Sequence, residues 1–215
     1  MLKFFSVGIA ATVCLLFLGS WASTNADVIY TTFGPGQTFN TGGGYTIGSN
    51  IQVSGNERIE VAASFTPGFD FTLDSIDLVA THNFFGPNQL TVSLMAGATA
   101  PQNLLESFNF TNLPEFNAPT VTTASSLLHP LLTASTQYWV VLSANDLTNT
   151  QMVWFSNNQD VFGYSFRQGG GAWISSSGDT PAFDVTATSV PEPSTLLLVG
   201  AGLVGGGLLR KRFKK

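Results

Sequence analysis

Phe69-Asp-Phe-Thr-Leu-Asp-Ser-Ile-Asp-Leu-Val-Ala80 is the stretch on which the fold class turns. Apolar side chains stand at 69, 71 and 73, and after a break at Asp74-Ser75 the pattern resumes as Ile76, Leu78 and Ala80. Successive strand residues point to opposite faces, so this spacing predicts a half-buried strand interrupted once. Further along, Leu90, Val92 and Leu94 alternate with Thr91, Ser93 and Met95. Tyr138-Trp-Val-Val-Leu142 is apolar on both faces, the mark of a central strand covered twice. Met152–Phe155, Tyr164–Phe166, Trp173–Ile174 and Phe183–Val185 complete the series, with turn signals such as Gly86-Pro87-Asn88 and Gly169-Gly170-Gly171 between them. No helix-period stretch of comparable length interrupts it. The expectation is an all-β domain over residues 27–190, a single antiparallel β-sandwich of jelly-roll-like type.

A chain of 215 residues has room for one such domain plus appendages. Only 10% of its residues are charged, against about 25% in a typical soluble domain. Its 18 Phe, 4 Trp and 4 Tyr are ample for a core, which excludes a disordered chain. Between Asp27 and Val190 stand 12 acids but only two bases, Arg58 and Arg167, a net charge of −10 that the chain total of −5 conceals. Phosphate backbones would repel such a surface, so nucleic acid is excluded as a partner.

The ends have a different character. Residues 1–26 have the layout of a secretory signal peptide: Lys3, an apolar run from Phe4 to Leu18, then small and polar residues. Thr24-Asn25-Ala26 places cleavage by signal peptidase after Ala26, an uncleaved N-terminal membrane helix being the alternative. The single cysteine, Cys14, lies in the apolar run and would leave with it; Val13 before it argues against a lipoprotein. The mature chain would then lack disulfides and thiolate chemistry and depend on its core for stability.

At the other end, residues 191–215, Pro191-Glu192-Pro193-Ser194-Thr195 leads into an uncharged run, Leu196–Leu209, and then Arg210-Lys211-Arg212-Phe213-Lys214-Lys215. Fourteen residues make about 21 Å of helix, short of a hydrocarbon core of roughly 30 Å, and snorkelling Arg and Lys side chains would make up part of the difference. The basic tail would stay on the cytoplasmic side, leaving everything before it outside. Five glycines suit a transient span better than a permanent anchor. An ordinary single-pass anchor after a Pro-rich stalk is the bland alternative.

With the N-terminal signal, this arrangement resembles the PEP-CTERM sorting signal of Gram-negative bacteria. The resemblance implies that Pro191, Glu192 and Pro193 are the element read by an exosortase, a membrane cysteine protease. Leu196–Leu209 would be the transmembrane sorting helix in the inner membrane, and Arg210, Lys211 and Arg212 the stop. It implies an exported protein, released or re-anchored after processing, in organisms that make exopolysaccharide and biofilm. The middle is similar to exported domains of the choice-of-anchor type, from Val61-Ala-Ala-Ser-Phe65 through Leu73-Asp-Ser-Ile76 and Leu132–Trp139 to Trp154, Trp173 and Ala182-Phe183. Those are packing motifs and carry no activity.

Catalytic signals are sparse. His82 and His129 are the only histidines, both read as loop residues, and no Gly-x-Ser-x-Gly turn is present. Asp70, Asp74 and Asp77 lie close enough in sequence to be weighed as Ca²⁺ ligands, but on one strand Asp77 takes the opposite face, so convergence would need a bulge at Asp74-Ser75. Their bland reading is a solvent face. Trp173, Phe84 and Phe85 are the aromatics placed to stack on a sugar ring, with core packing at a sandwich end the bland reading of Trp173, while Trp139 and Trp154 read as core. The first expectation is a non-enzymatic surface or matrix protein acting by adhesion or structural contact, with no cofactor. A carbohydrate-binding module, with or without Ca²⁺, is the alternative, and a secreted hydrolase a distant third.

Overall fold

The computed structural model describes residues 25–48, 57–144 and 149–190; the signal peptide, apart from its last two residues, and the sorting segment lie outside them. Among the described residues there are strands and no helix. In chain order they are β1 (Ala26–Thr31), β2 (Gly44–Gly48), β3 (Ile59–Phe65), β4 (Phe71–Leu78), β5 (Ala80–His82), β6 (Gln89–Ala96) and β7 (Asn103–Thr111). Then come β8 (Thr122–Ser125), β9 (Leu131–Leu132), β10 (Tyr138–Ala144), β11 (Gln151–Phe155), β12 (Phe162–Gln168), β13 (Ile174–Asp179) and β14 (Phe183–Ser189).

Two curled antiparallel sheets pack face to face. The smaller runs β1-β14-β4-β8, with β9 also on β4; the larger runs β5-β11-β2-β3-β10-β6-β7, with β12 added on β3 and β13 on β12. Leu73, Ile76 and Val185 of the smaller sheet share one core with Val61, Leu94 and Val140 of the larger. This is the sandwich-like layering expected from short alternating strands without helices.

β10 is buried along its whole length. Tyr138, Val140 and Leu142 face the main core, and Trp139 and Val141 form a second cluster with Ala62 on the outer face. Met95 and Trp173 cover that cluster, so the strand is covered twice.

The break at Asp74-Ser75 is a β-bulge. Ser75 pairs with Thr186 and Leu73 with Ala187, which leaves Asp74 as the extra residue. Leu73 and Ile76 are three apart and would face opposite sides of a regular strand, yet both lie in the core. The pattern departs from the single strand of the sequence reading at both ends. Phe69 lies outside β4 and is exposed. Beyond Leu78 the chain changes sheets: Val79 joins a small cluster with Phe33 and Phe155, and β5 enters the larger sheet beside β11.

Two buried carboxylates are clamped by their neighbours. Glu60, 2% exposed, is paired with both Arg58 and Arg167. Glu106 faces inward from β7 and reaches the loop between β8 and β9, accepting hydrogen bonds from Ser126 Oγ at 2.6 Å, Leu127 N at 2.7 Å and Leu128 N at 3.0 Å. Burial works to raise its pKa, but those three donors and the charge of His129 hold it below the usual carboxylate value.

If the bulge sets the phase of β4, deleting Asp74 turns Phe71 and Leu73 outward and abolishes cooperative folding, since each displaced side chain costs about 2–5 kcal/mol. Asp74→Ala, which loses the 2.6 Å hydrogen bond from Thr188 Oγ1 and the 3.9 Å contact of Oδ1 with His129 Nδ1, should cost about 1–2 kcal/mol. Urea denaturation followed by tryptophan fluorescence separates the two; a deletion as mild as the substitution would remove the bulge from this role.

Candidate functional site

The bulge does not bring the three aspartates together. Asp70 Oδ1 accepts from Ala134 N at 2.8 Å, Asp74 Oδ2 takes the Thr188 hydroxyl, and Asp77 lies opposite Asp184 across β4 and β14. Among the described residues no group of three or more His, Cys, Asp or Glu is placed to hold a metal ion.

Asp77 and Asp184 are joined by Gln37, whose Nε2 donates to Asp77 Oδ2 at 3.2 Å and Asp184 Oδ2 at 3.3 Å. Asp184 is 3% exposed. Burial first, and then the negative charge of Asp77, push its pKa up to about 6, against the opposing hydrogen bonds from Gln37 and the Asp77 backbone. This is a carboxylate pair bridged by one amide, Gln37 donating to both.

The aromatics expected to stack on sugars sit in two places, Trp173 just before β13 and Phe84 and Phe85 just after β5. Trp173 is half-buried against the outer cluster, with the Arg167 guanidinium carbon 4.8 Å from its ring centroid, so one face is occupied by a cation. Phe84 and Phe85 are exposed on the turn after β5, where the Phe85 and Gly86 carbonyls both lie 3.1 Å from His82 Nε2. Carbonyls only accept, so Nε2 carries a proton toward them, and Nδ1 lies 3.4 Å from Glu115 Oε2. His82 ends a strand and His129, in the β8–β9 loop, lies 2.9 Å from the Leu73 carbonyl through Nδ1; both hold backbone in place.

A cleft forms elsewhere. β12 pairs with β3 only over Ser165–Gln168, and toward its start Phe162, Gly163 and Tyr164 part from β3. The opening is about 280 Å³, just under the roughly 300–1,000 Å³ of ligand pockets, and suits a single ring. Its aromatic walls are Tyr30, Trp139, Phe162 and Tyr164, and its polar lining is hydroxyl: Ser64, Ser165, Ser175, Ser176 and Thr180. Among the described residues no charged side chain lines it.

The cleft is held by fixed groups. Gly163 takes φ +107°, a left-handed conformation, and its carbonyl accepts from Thr180 Oγ1 at 2.8 Å. Trp139 Nε1 donates to the Gly97 carbonyl at 2.7 Å, locking the indole, of which 4% is exposed, while Phe162 is 62% exposed at the rim. Tyr164 packs against Tyr45 with centroids 4.1 Å apart and ring planes tilted by 37°, and Tyr45 donates to the Asp179 carbonyl. Burial, then Tyr164 and Asp179, push Tyr45 up to about 12, so it remains a neutral donor. Trp139 reads as core in the sequence and is buried in the outer cluster, while Phe162 is passed over there; the one available signal was the apolar side chain beside Gly163.

The β14 strand ends at Ser189, and there the model of the PEP-CTERM protein-sorting motif begins to match, over residues 189–212. The chain is thus a β-sandwich-like domain joined without a linker to a sorting motif. That motif implies an exported protein, anchored transiently in the membrane and processed by an exosortase. Its Pro191, Glu192, Pro193 and Arg210–Arg212, like the Leu196–Leu209 run, lie outside the described residues. No curated protein matches the chain.

An acid raised in the folded state stabilises the fold while it is protonated, so the Asp184 contribution is complete below its ordinary value of 3.8 and is lost as pH rises through about 6. Asp184→Asn should therefore match wild type near pH 4 and exceed it near pH 7 by about 1–2 kcal/mol, after allowance for solvent screening. Urea unfolding at a series of pH values measures this difference. A difference independent of pH would mean the carboxylate is ionised throughout.

Proposed function

We propose that this is an exported protein of the cell surface or extracellular matrix in a Gram-negative bacterium, acting by adhesion or structural contact in exopolysaccharide or biofilm and not by catalysis. The observation that carries the reading is the sorting motif starting on the last residue of the last strand, which makes the sandwich the cargo of the pathway. Signal peptidase would remove residues 1–26 and exosortase the tail after Pro191-Glu192-Pro193. Mass spectrometry of the protein recovered outside the cell should find neither the N-terminal 26 residues nor Arg210–Lys215. An intact C-terminus on that material would overturn the sorting reading.

The second reading, a carbohydrate-binding module, is supported by the cleft. Aromatic walls offer flat apolar faces to a pyranose ring, and serine and threonine hydroxyls match its hydroxyls. The sandwich has two cations, Arg58 and Arg167, and Glu60 occupies both, so a neutral sugar fits better than a uronate. On a glycan array the processed protein should retain neutral hexose polymers, and a chelator should leave binding unchanged. Phe162→Ala should weaken binding at least ~10-fold, in line with the 1–3 kcal/mol typical of base–aromatic stacking, whereas Phe84→Ala should not. Equal loss from Phe84→Ala, or from Trp173→Ala alone, would move the site to the residues first singled out, and no retained glycan would exclude this reading.

A further inference from the structure

The loop between β8 and β9 carries Ser126-Leu-Leu-His-Pro130, followed by Leu131 at the start of β9. Leu127 is 85% exposed, Leu128 70% and Leu131 55%. Apolar side chains presented together at such exposure mark a contact surface.

Their presentation is built into the fold. The Leu127 and Leu128 N–H groups both donate to Glu106 Oε1, Ser126 N donates to the Asp74 carbonyl at 2.8 Å, His129 N donates to Ser126 Oγ at 2.9 Å, and the Pro130 carbonyl accepts from Leu73 N at 3.1 Å. The backbone is turned inward at almost every residue and the two leucine side chains are left outside. A loop that only joined two short strands to β4 would not require that.

The place where the chain leaves the sandwich says what meets them. Val190 N donates to the Asp70 carbonyl, next to Phe69, itself exposed. Ser189 pairs with Phe71, and the next residue of β4, Thr72, pairs with Leu131. The exit is therefore about two strand spacings, roughly 10 Å, from Leu131. From Val190 only five residues, 191–195, precede the apolar run 196–209, and five residues reach at most about 17 Å. While the tail is anchored, this edge of the smaller sheet cannot be far from the bilayer surface.

We propose that, before exosortase acts, Leu127, Leu128 and Leu131 dip into the membrane surface and hold the sandwich against it on its β8–β9 edge. The proposal rests on the membrane attachment implied by the sorting motif and not on a ligand for the cleft. Tethering through so short a segment gives the loop a high effective concentration at the bilayer, so three leucines suffice without the basic residues that surface-binding segments generally use. The acidic sandwich, with both its arginines paired, would be repelled by anionic lipid, so the contact is apolar and suits zwitterionic lipid.

The test uses the full chain with Cys14→Ser, recovered on phosphatidylcholine vesicles and carrying one environment-sensitive fluorophore. The label is placed at Leu128→Cys, at Leu131→Cys, or at Phe84→Cys, which lies beyond the far end of β4 from Val190. Labels at 128 and 131 should be blue-shifted, at least twofold less quenched by aqueous iodide than the label at 84, and quenched by nitroxide-bearing lipid. With Leu127→Ser and Leu128→Ser, the label at 131 should lose that lipid quenching while the protein stays on the vesicles. Iodide quenching at 128 equal to that at 84 would overturn the proposal. So would protection that lipid nitroxide does not reach, since a second copy of the chain would then be the occupant.

Discussion

One buried carboxylate organises the half of the domain that carries the cleft. Glu60 on β3 holds Arg167 of β12 and Arg58 from its own approach, and these arginines are the only Lys or Arg residues between Asp27 and Val190. A lone buried anion would cost several kcal/mol, and one with two partners is tolerated while fixing which strands lie together. The pairing fastens the end of β12 to β3, and Arg167 in turn covers Trp173, which closes the outer cluster over β10. Toward the other end of β12, beyond its pairing with β3 at Ser165–Gln168, the cleft opens.

The same economy of charge appears at the open edge. Glu106 faces into the sandwich from the last strand of the larger sheet and ties down a loop attached to the smaller one. An inward-pointing charge on an edge strand also discourages that strand from pairing with another chain. In an exported domain without cysteine after its N-terminal segment, such clamps do part of the work that disulfides do in many secreted proteins. The apolar side chains they leave outside, Leu127 and Leu128, are displayed by rigid backbone.

How much was legible in the sequence follows from the range of the interactions. Alternation within β4, β6 and β10, and even the break at Asp74-Ser75, could be read locally because burial of one strand face repeats every two residues. The strand β7 was not read, because its inward positions are Glu106, Phe108 and Phe110, and a carboxylate in an inward place breaks the pattern. The continuation from Ile76 to Ala80 was read as one strand because nothing local marks Val79 as the point where the chain crosses between sheets. Phe84 and Phe85 read as exposed from their turn setting, and they are; Trp173 is different, because across the β12–β13 hairpin Arg167 covers one of its faces.

By itself the sequence determined the address and the class: a signal-like start, a strand-built middle with almost no cations, and a Pro-Glu-Pro tail ending in basic residues. These are properties of composition and short-range order, which the chain has before it folds. Only the tertiary structure decided that three neighbouring aspartates go to three separate partners, that Asp184 meets Asp77, and that a ring-sized opening forms among Tyr30, Trp139 and Phe162. Each joins residues far apart in the chain, and their meeting is set by strand register and sheet packing, which no local pattern encodes.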